Sequence, residues 1–155
     1  MHISYLSFYE SPIGLIRINT SNYDVLSIMF IEEQLEKEKE NYLSIKVKEE
    51  LDLYFKGKLK SFSFYNYLMS GLEKKVLEIV SHIEYGKTLT YKEVAKILGN
   101  EDIVGPVKEV LNNNLYPILI PCHRVVDTNN SGSYVSDIEK KIFLLNLEKS
   151  NTVVK

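Results

Sequence analysis

The sequence predicts an α+β protein of two lobes. Residues 1–68 form an N-terminal lobe with a small antiparallel sheet and a helix, and residues 69–155 a mainly helical, winged-helix-like lobe built on a helix-turn-helix. Three observations predict this. β-Formers with period-two alternation are concentrated before residue 32. Apolar residues recur at helical spacing in most of the rest. Two short helical segments follow one another after residue 90, punctuated by Thr-x-x-Glu, Gly and Pro.

Ser7 to Asn19 reads as a hairpin, with Ser11-Pro12-Ile13-Gly14 as its turn and Leu15, Arg17 and Asn19 alternating against Ile16 and Ile18. Val25 to Ile31 is a third strand. Glu32 to Glu40 carries seven charges in nine residues and reads as a solvated segment. Ile45 to Phe55 is a helix with Val47, Leu51 and Tyr54 on one face, stopped at Gly57. Phe62 and Phe64 alternate with serines as a short strand. His2 is terminal and is expected to be inert. Character changes at Met69-Ser70-Gly71, and Leu72, Val76, Ile79, Val80 and Ile83 mark an amphipathic helix with His82 near its end. Thr90 with Glu93 three residues on is a capping box, and the helix it opens stops at Gly99. Pro106 suits the first turn of a second helix, which runs into Asn112-Asn113-Asn114. The last helix, Ile138 to Leu147, is expected to pack through Ile142, Phe143 and Leu145 and to end at Glu148.

The chain of 155 residues, 45% hydrophobic and 26% charged, is that of an ordinary globular protein with enough apolar content for a real core. No apolar run approaches the roughly 20 residues of a membrane helix, so no membrane is expected. No basic stretch precedes an apolar one at the N-terminus, and the single cysteine forms no internal disulfide. Both predict a reducing, cytoplasmic location. The net charge of −2 argues against a protein that coats nucleic acid, though not against DNA binding by one local face.

That cysteine sits in Ile118-Leu119-Ile120-Pro121-Cys122-His123-Arg124-Val125-Val126. A thiol is a nucleophile only as thiolate, so something must take its proton. In a strand, neighbouring side chains point apart, which disfavours a direct thiol–imidazole pair. In a turn, both groups reach one shared water, and a carboxylate on the far ring nitrogen would orient the imidazole. The apolar run before Cys122 predicts poor hydration and a raised thiol pKa. One cysteine and three histidines make no recognisable metal-ligand spacing, so no metal is expected. From these residues alone, a nucleophile and an inert packed cysteine both remain open.

Pro121-Cys122-His123-Arg124-Val125 resembles the active-site motif of the O6-alkylguanine-DNA alkyltransferases. Asn114, Pro117 to Ile120, Thr90-Tyr91, Tyr134 and Glu148 fall at that family's spacing, so the resemblance is close over about residues 70 to 150. It implies a methylated-DNA–protein-cysteine S-methyltransferase of suicide stoichiometry. Cys122 would attack the alkyl carbon on guanine O6 and keep the alkyl group. Tyr91 would donate toward guanine N3, His123 would act as base through water, Glu148 would orient it, and Asn114 would tie down the segment before the cysteine. The backbone of Val125 would read the guanine edge, and Pro117, Tyr134, Val135 and Ser136 would line the pocket or its rim. Thr90, Tyr91, Gly105, Lys108, Asn112, Asn113 and Arg124 would meet DNA. The implied partner is double-stranded DNA containing O6-alkylguanine, with the base flipped out and the second helix in the minor groove. The chain would act as a monomer with no cofactor. Two departures stand out. Gly105 occupies the place of an arginine that usually fills the gap left by the flipped base, with Lys108 and Asn112 as substitutes on the same helix. Val135 and Ser136 add bulk where small residues are common. The alternatives are a helix-turn-helix DNA-binding protein, which leaves Cys122, His123 and Glu148 without a role, and an alkyltransferase-like lesion binder without transfer.

Overall fold

The computed structural model describes residues 3–128 and 132–152; His2 lies outside them. The chain divides into two compact units, Met1–Leu68 and Met69–Lys155.

In the first unit, β1 (Tyr5–Ser11), β2 (Gly14–Thr20) and β3 (Asp24–Ile31) form an antiparallel meander. The Ser11 hydroxyl closes the first turn, donating to Gly14 O at 2.6 Å and accepting from Ile13 N at 3.1 Å. α1 (Tyr42–Phe55) buries Val47, Leu51 and Tyr54 together with Ile16 and Ile18 of the sheet. α1 starts three residues before the predicted Ile45, because Asn41 and Ser44 cap each other's backbone N–H groups at 2.8 and 3.0 Å. The charged segment is not wholly solvated: Lys39 exchanges backbone hydrogen bonds of 2.9 and 3.0 Å with Leu6 of β1. Phe62 and Phe64 form no strand. Ser63 between them is held instead by the Glu50 carboxylate of α1, and Phe64 is fully exposed. The extra strand is β4 (Asn66–Tyr67), which pairs in parallel with β3.

The second unit contains α2 (Gly71–Ser81), β5 (Leu89–Thr90), α3 (Tyr91–Ile97), α4 (Val104–Asn112), β6 (Val125–Val126) and α5 (Ile138–Ser150). The predicted capping box at α3 is present in both directions: Glu93 N donates to Thr90 Oγ1 at 3.0 Å and Thr90 N to Glu93 Oε1 at 2.9 Å. Gly99 turns the chain between α3 and α4 at φ +92, a conformation that costs any other residue. β5 and β6 pair in parallel, setting Leu89 beside Val125 and Thr90 beside Val126. This ladder fastens the start of α3 to the residues just after Cys122. Val76, Leu77, Val80, Val94, Val107 and Leu144 fill the core.

α5 corrects one expectation. Its buried residues are Lys141, Leu144 and Glu148, while Ile142 is 51% and Phe143 37% exposed. The stripe at i, i+3 and i+7 that faces inward carries two charges, because polar partners in the unit receive them. Among the described residues, no helix is long and apolar enough to cross a membrane.

Candidate active site

Cys122, His123 and Arg124 form one 3-10 turn that leads into β6, and all three are buried. The turn follows a tightly folded approach. Ile118 has φ +73, a position that is strained for a β-branched residue, and Ile120 N donates back to Tyr116 O at 2.8 Å. Asn114, also buried, holds this approach at both ends: its Oδ1 accepts from Tyr116 N at 2.9 Å and its Nδ2 donates to Ile120 O at 3.1 Å. Pro117 lies within the same buried bend. The turn removes the objection that adjacent side chains in a strand point apart.

Burial pushes the Cys122 thiol up to about 11, against opposing help from the Asn114 side chain and the charge of Lys141. His123 is fully buried, and its Nε2 lies 2.6 Å from Glu148 Oε2. Burial holds the imidazole below its ordinary value in spite of Glu148. Burial also opposes the charged form of Glu148, but the hydrogen bonds and charges of His123 and Arg124 outweigh it and keep that carboxyl well below the usual range. Glu148 is therefore a carboxylate and can only accept. It follows that Nε2 of His123 carries the hydrogen and that Nδ1 presents a lone pair. Nδ1 is buried and has no hydrogen-bond partner among the described residues. The geometry thus yields a neutral base whose accepting atom is unengaged and whose far side is anchored on a carboxylate.

Arg124, expected to contact DNA, is turned inward in the free protein: its Nε and Nη2 donate to Glu148 at 2.8 and 3.0 Å and its Nη1 to Ile83 O at 2.7 Å. It is 6% exposed, and its fork neutralises and orients Glu148 instead. Gly86 N, at 3.2 Å, completes the cradle around that carboxylate.

Lys141 is a buried cation beside this site that the sequence reading missed. It is fully buried, and its three ammonium donors meet three acceptors: Val125 O at 2.6 Å, Ser133 O at 3.0 Å and the Tyr91 hydroxyl at 3.3 Å. Tyr91 Oη also lies 3.3–3.4 Å from the backbone of Ser133. Lys141 thereby fixes Tyr91 at the start of α3, β6 and the segment before Tyr134 at one point. The available signal was its spacing, seven residues before Glu148 on one helical face with Leu144 between them. Gly132 belongs to the same knot. A Cβ there would stand 2.6 Å from Tyr91 Oη and 3.0 Å from Lys141 Nζ, and its φ is +128. Val125 was expected to offer its backbone to a ligand, but its N–H donates to Cys122 O and its carbonyl accepts Lys141. Tyr134 is buried close enough to Cys122 for a thiolate there to raise its phenol further, after burial itself. Val135 is half-buried and Ser136 exposed.

The remaining expected residues are on or beside α4. Gly105 is exposed, with nothing within 4 Å of a Cβ placed on it. Lys108 Nζ lies 3.6 Å from Asp127 Oδ1 and 5.1 Å from the centroid of the Tyr91 ring. Asn112 Oδ1 accepts from Ser133 Oγ at 2.8 Å, and Asn113 Nδ2 donates to Glu109 O at 2.8 Å. The Thr90 hydroxyl oxygen accepts the cap of α3. Among the described residues, no three His, Cys, Asp or Glu side chains are grouped to hold a metal ion. A separate apolar cavity of about 500 Å³, lined in part by Ile79, Ile83, Leu89 and Ile97, includes none of these groups.

Residues 71–150 match the family described as 6-O-methylguanine DNA methyltransferase, DNA binding domain. A probable methylated-DNA–protein-cysteine methyltransferase of Acanthamoeba polyphaga mimivirus is 35% identical over 151 residues, covering 95% of this chain and 98% of the relative. The Methanocaldococcus jannaschii methylated-DNA–protein-cysteine methyltransferase is 41% identical over 107 residues, covering 66% of this chain and 63% of its own. The fold matches the crystal structure of the Mycobacterium tuberculosis O6-methylguanine methyltransferase with a TM-score of 0.86 at 24% identity, over 99% of this chain and 97% of that one. These likenesses span both units, and the matched half contains the buried thiol with its histidine and glutamate. The chain therefore belongs to the methylated-DNA–protein-cysteine methyltransferases, DNA-repair proteins with a DNA-binding domain.

Proposed function

We propose that this chain removes an alkyl group from guanine O6 in double-stranded DNA and keeps it on Cys122, once per molecule. The observation that carries the reading is the buried turn in which the lone thiol adjoins a histidine whose Nδ1 is an unengaged acceptor and whose Nε2 is anchored on Glu148.

With burial raising it to about 11, the Cys122 thiol is overwhelmingly protonated at pH 7. Transfer therefore needs the proton taken as the bond forms. His123 Nδ1 accepts it through a water, becoming an imidazolium that Glu148 stabilises. Sγ then bonds to the alkyl carbon, the carbon–O6 bond breaks, and its electron pair passes to the guanine ring. The Tyr91 hydroxyl, steadied by Lys141, donates toward guanine N3 as that charge develops. Atoms and charge balance with no cofactor, because the substrate brings its own leaving group. The thioether has no route back to thiol, so the stoichiometry is one.

The alkyl carbon is shielded within a duplex, so the nucleotide must leave the stack. We assign α4 to the minor groove, and Pro117, Tyr134, Val135 and Ser136 to the pocket for the flipped base. A Mycobacterium tuberculosis OGT of 25% identity and TM-score 0.84 was solved in complex with DNA, which supports DNA as the partner. The protein would work as a monomer, in a reducing compartment such as the cytoplasm that keeps Cys122 a thiol.

The test is intact mass after mixing with an oligonucleotide containing O6-methylguanine. The chain should gain one methyl in place of a hydrogen, mapped to Cys122, and Cys122→Ser should bind the DNA and gain nothing. Label on another residue, transfer by the serine variant, or binding with no mass change would refute the proposal; the last would mark a lesion binder.

A further inference from the structure

α4 is poor in the charge that DNA attracts. Between residues 101 and 121, Lys108 is the single cation, against Glu101, Asp102 and Glu109. Phosphate contacts dominate affinity for DNA, and each one adds to its salt dependence. The single lysine is already engaged. Its Nζ is 3.6 Å from Asp127 Oδ1, an ion pair rather than a hydrogen bond, and 5.1 Å from the Tyr91 ring centroid. The two side chains are 42% and 44% exposed, so the ammonium is held without being enclosed. Asp127 directly follows β6, whose Val125 is pinned by Lys141, so the carboxylate is presented from a fixed base.

We propose that Lys108 is the phosphate-docking residue of α4 and that Asp127 is its built-in competitor. On DNA the ammonium leaves the carboxylate for a backbone phosphate. The inference rests on the DNA-binding role of α3 and α4 and needs no alkyl transfer. Asp127 occupies the lysine in the free protein and repels the phosphates in the complex, so affinity for undamaged DNA is held down. Such restraint suits a protein that must leave most of the sites it visits.

The experiment is fluorescence anisotropy of the full chain on an undamaged labelled duplex, over a range of salt concentrations. Because the probe has no lesion, failure of the transfer chemistry leaves the result untouched. Lys108→Ala should weaken binding and lower the slope of log affinity against log salt by about 0.9, the share of one phosphate. Lys108→Arg should restore the slope, which a merely structural role would not predict. Asp127→Asn should tighten binding about 1.4- to 5-fold, the range for an exposed pair, and keep the wild-type slope. In the Lys108→Ala background, Asp127→Asn should give no gain. An unchanged slope in Lys108→Ala would overturn the assignment of the lysine. A full-sized gain in the double variant would overturn the competition and leave only the removal of a negative charge.

Discussion

Glu148→Gln is the most informative perturbation of the relay. Glu148 Oε2 faces His123 Nε2 at 2.6 Å and Arg124 Nη2 at 3.0 Å, while Oε1 faces Arg124 Nε at 2.8 Å and Gly86 N at 3.2 Å. Glutamine must put its NH₂ at one of these two places. At the Oε1 place it would meet two donors that cannot turn away. At the Oε2 place it meets one donor, Arg124 Nη2, and can give a hydrogen bond to His123 Nε2. The second arrangement is preferred, and it reverses the imidazole tautomer. Nδ1 then carries the hydrogen, and the base becomes a donor on the side facing the chemistry. Single-turnover transfer at pH 7 should fall by the general-base share, about 10²- to 10⁴-fold. The variant must then wait for spontaneous thiolate, so its rate should climb with pH toward the thiol value of about 11, whereas the wild-type profile stays flatter. Stability must be separated from this. The carboxyl of Glu148 and the imidazole of His123 are both held below their ordinary values. Each contributes stability that is fully present above its unfolded pKa, about 4.3 and 6.5, and is lost as pH falls through its folded value. Above pH 7 neither titration alters folding, so a pH-dependent rate difference there belongs to the chemistry. Arg124 loses its counter-charge, at a cost of about 3–5 kcal/mol, so the thermal melt should drop and rates should be taken well below it. Rapid-quench transfer from an O6-methylguanine duplex between pH 7 and 9.5 is the assay. A wild-type rate with a wild-type profile would refute the tautomer argument.

Lys141→Met should leave the buried Val125 carbonyl without its ammonium donor, while Tyr91 and Ser133 keep their contact with each other, and lower stability by about 1–3 kcal/mol, roughly 2–12 °C in a thermal melt, with slower transfer as Tyr91 loses its anchor. Gly132→Ala places a methyl against Tyr91 at a backbone angle unfavourable to alanine, and transfer should fall on the order of 10²-fold; an unaffected rate would show that Tyr91 needs no fixed position. At Gly105 no side chain offsets the unstacking of the flipped base, a cost of a few kcal/mol per step. The wild type should therefore react nearly as fast on single strands as on duplex. Gly105→Arg, entering open space, should raise the duplex rate selectively; matched oligonucleotides in rapid quench decide it.

The sequence by itself determined the elements whose signals are local. The capping box at Thr90, the glycine at residue 99 and the alternation in β2 describe interactions between near neighbours, so they could be read without the fold. The proposed nucleophile was legible only through the family resemblance: Cys122 and His123 share one short motif and Glu148 falls at that family's spacing, while the residues alone left an inert packed cysteine equally open. The tertiary structure decided which charges are inside. Lys141 and Arg124 look like surface cations in sequence, and Ile142 and Phe143 look like core. The reverse holds, because burying a charge is tolerated only where partners are assembled to receive it. Those partners are backbone carbonyls of Val125, Ser133 and Ile83, contributed by segments remote in the chain. No periodicity along α5 records them, and no sequence pattern reports that a carbonyl 16 residues away will point at an ammonium. The tautomer of His123 belongs to the same class. It follows from the ionisation of Glu148, which follows from the position of Arg124, and only the folded chain brings the three together.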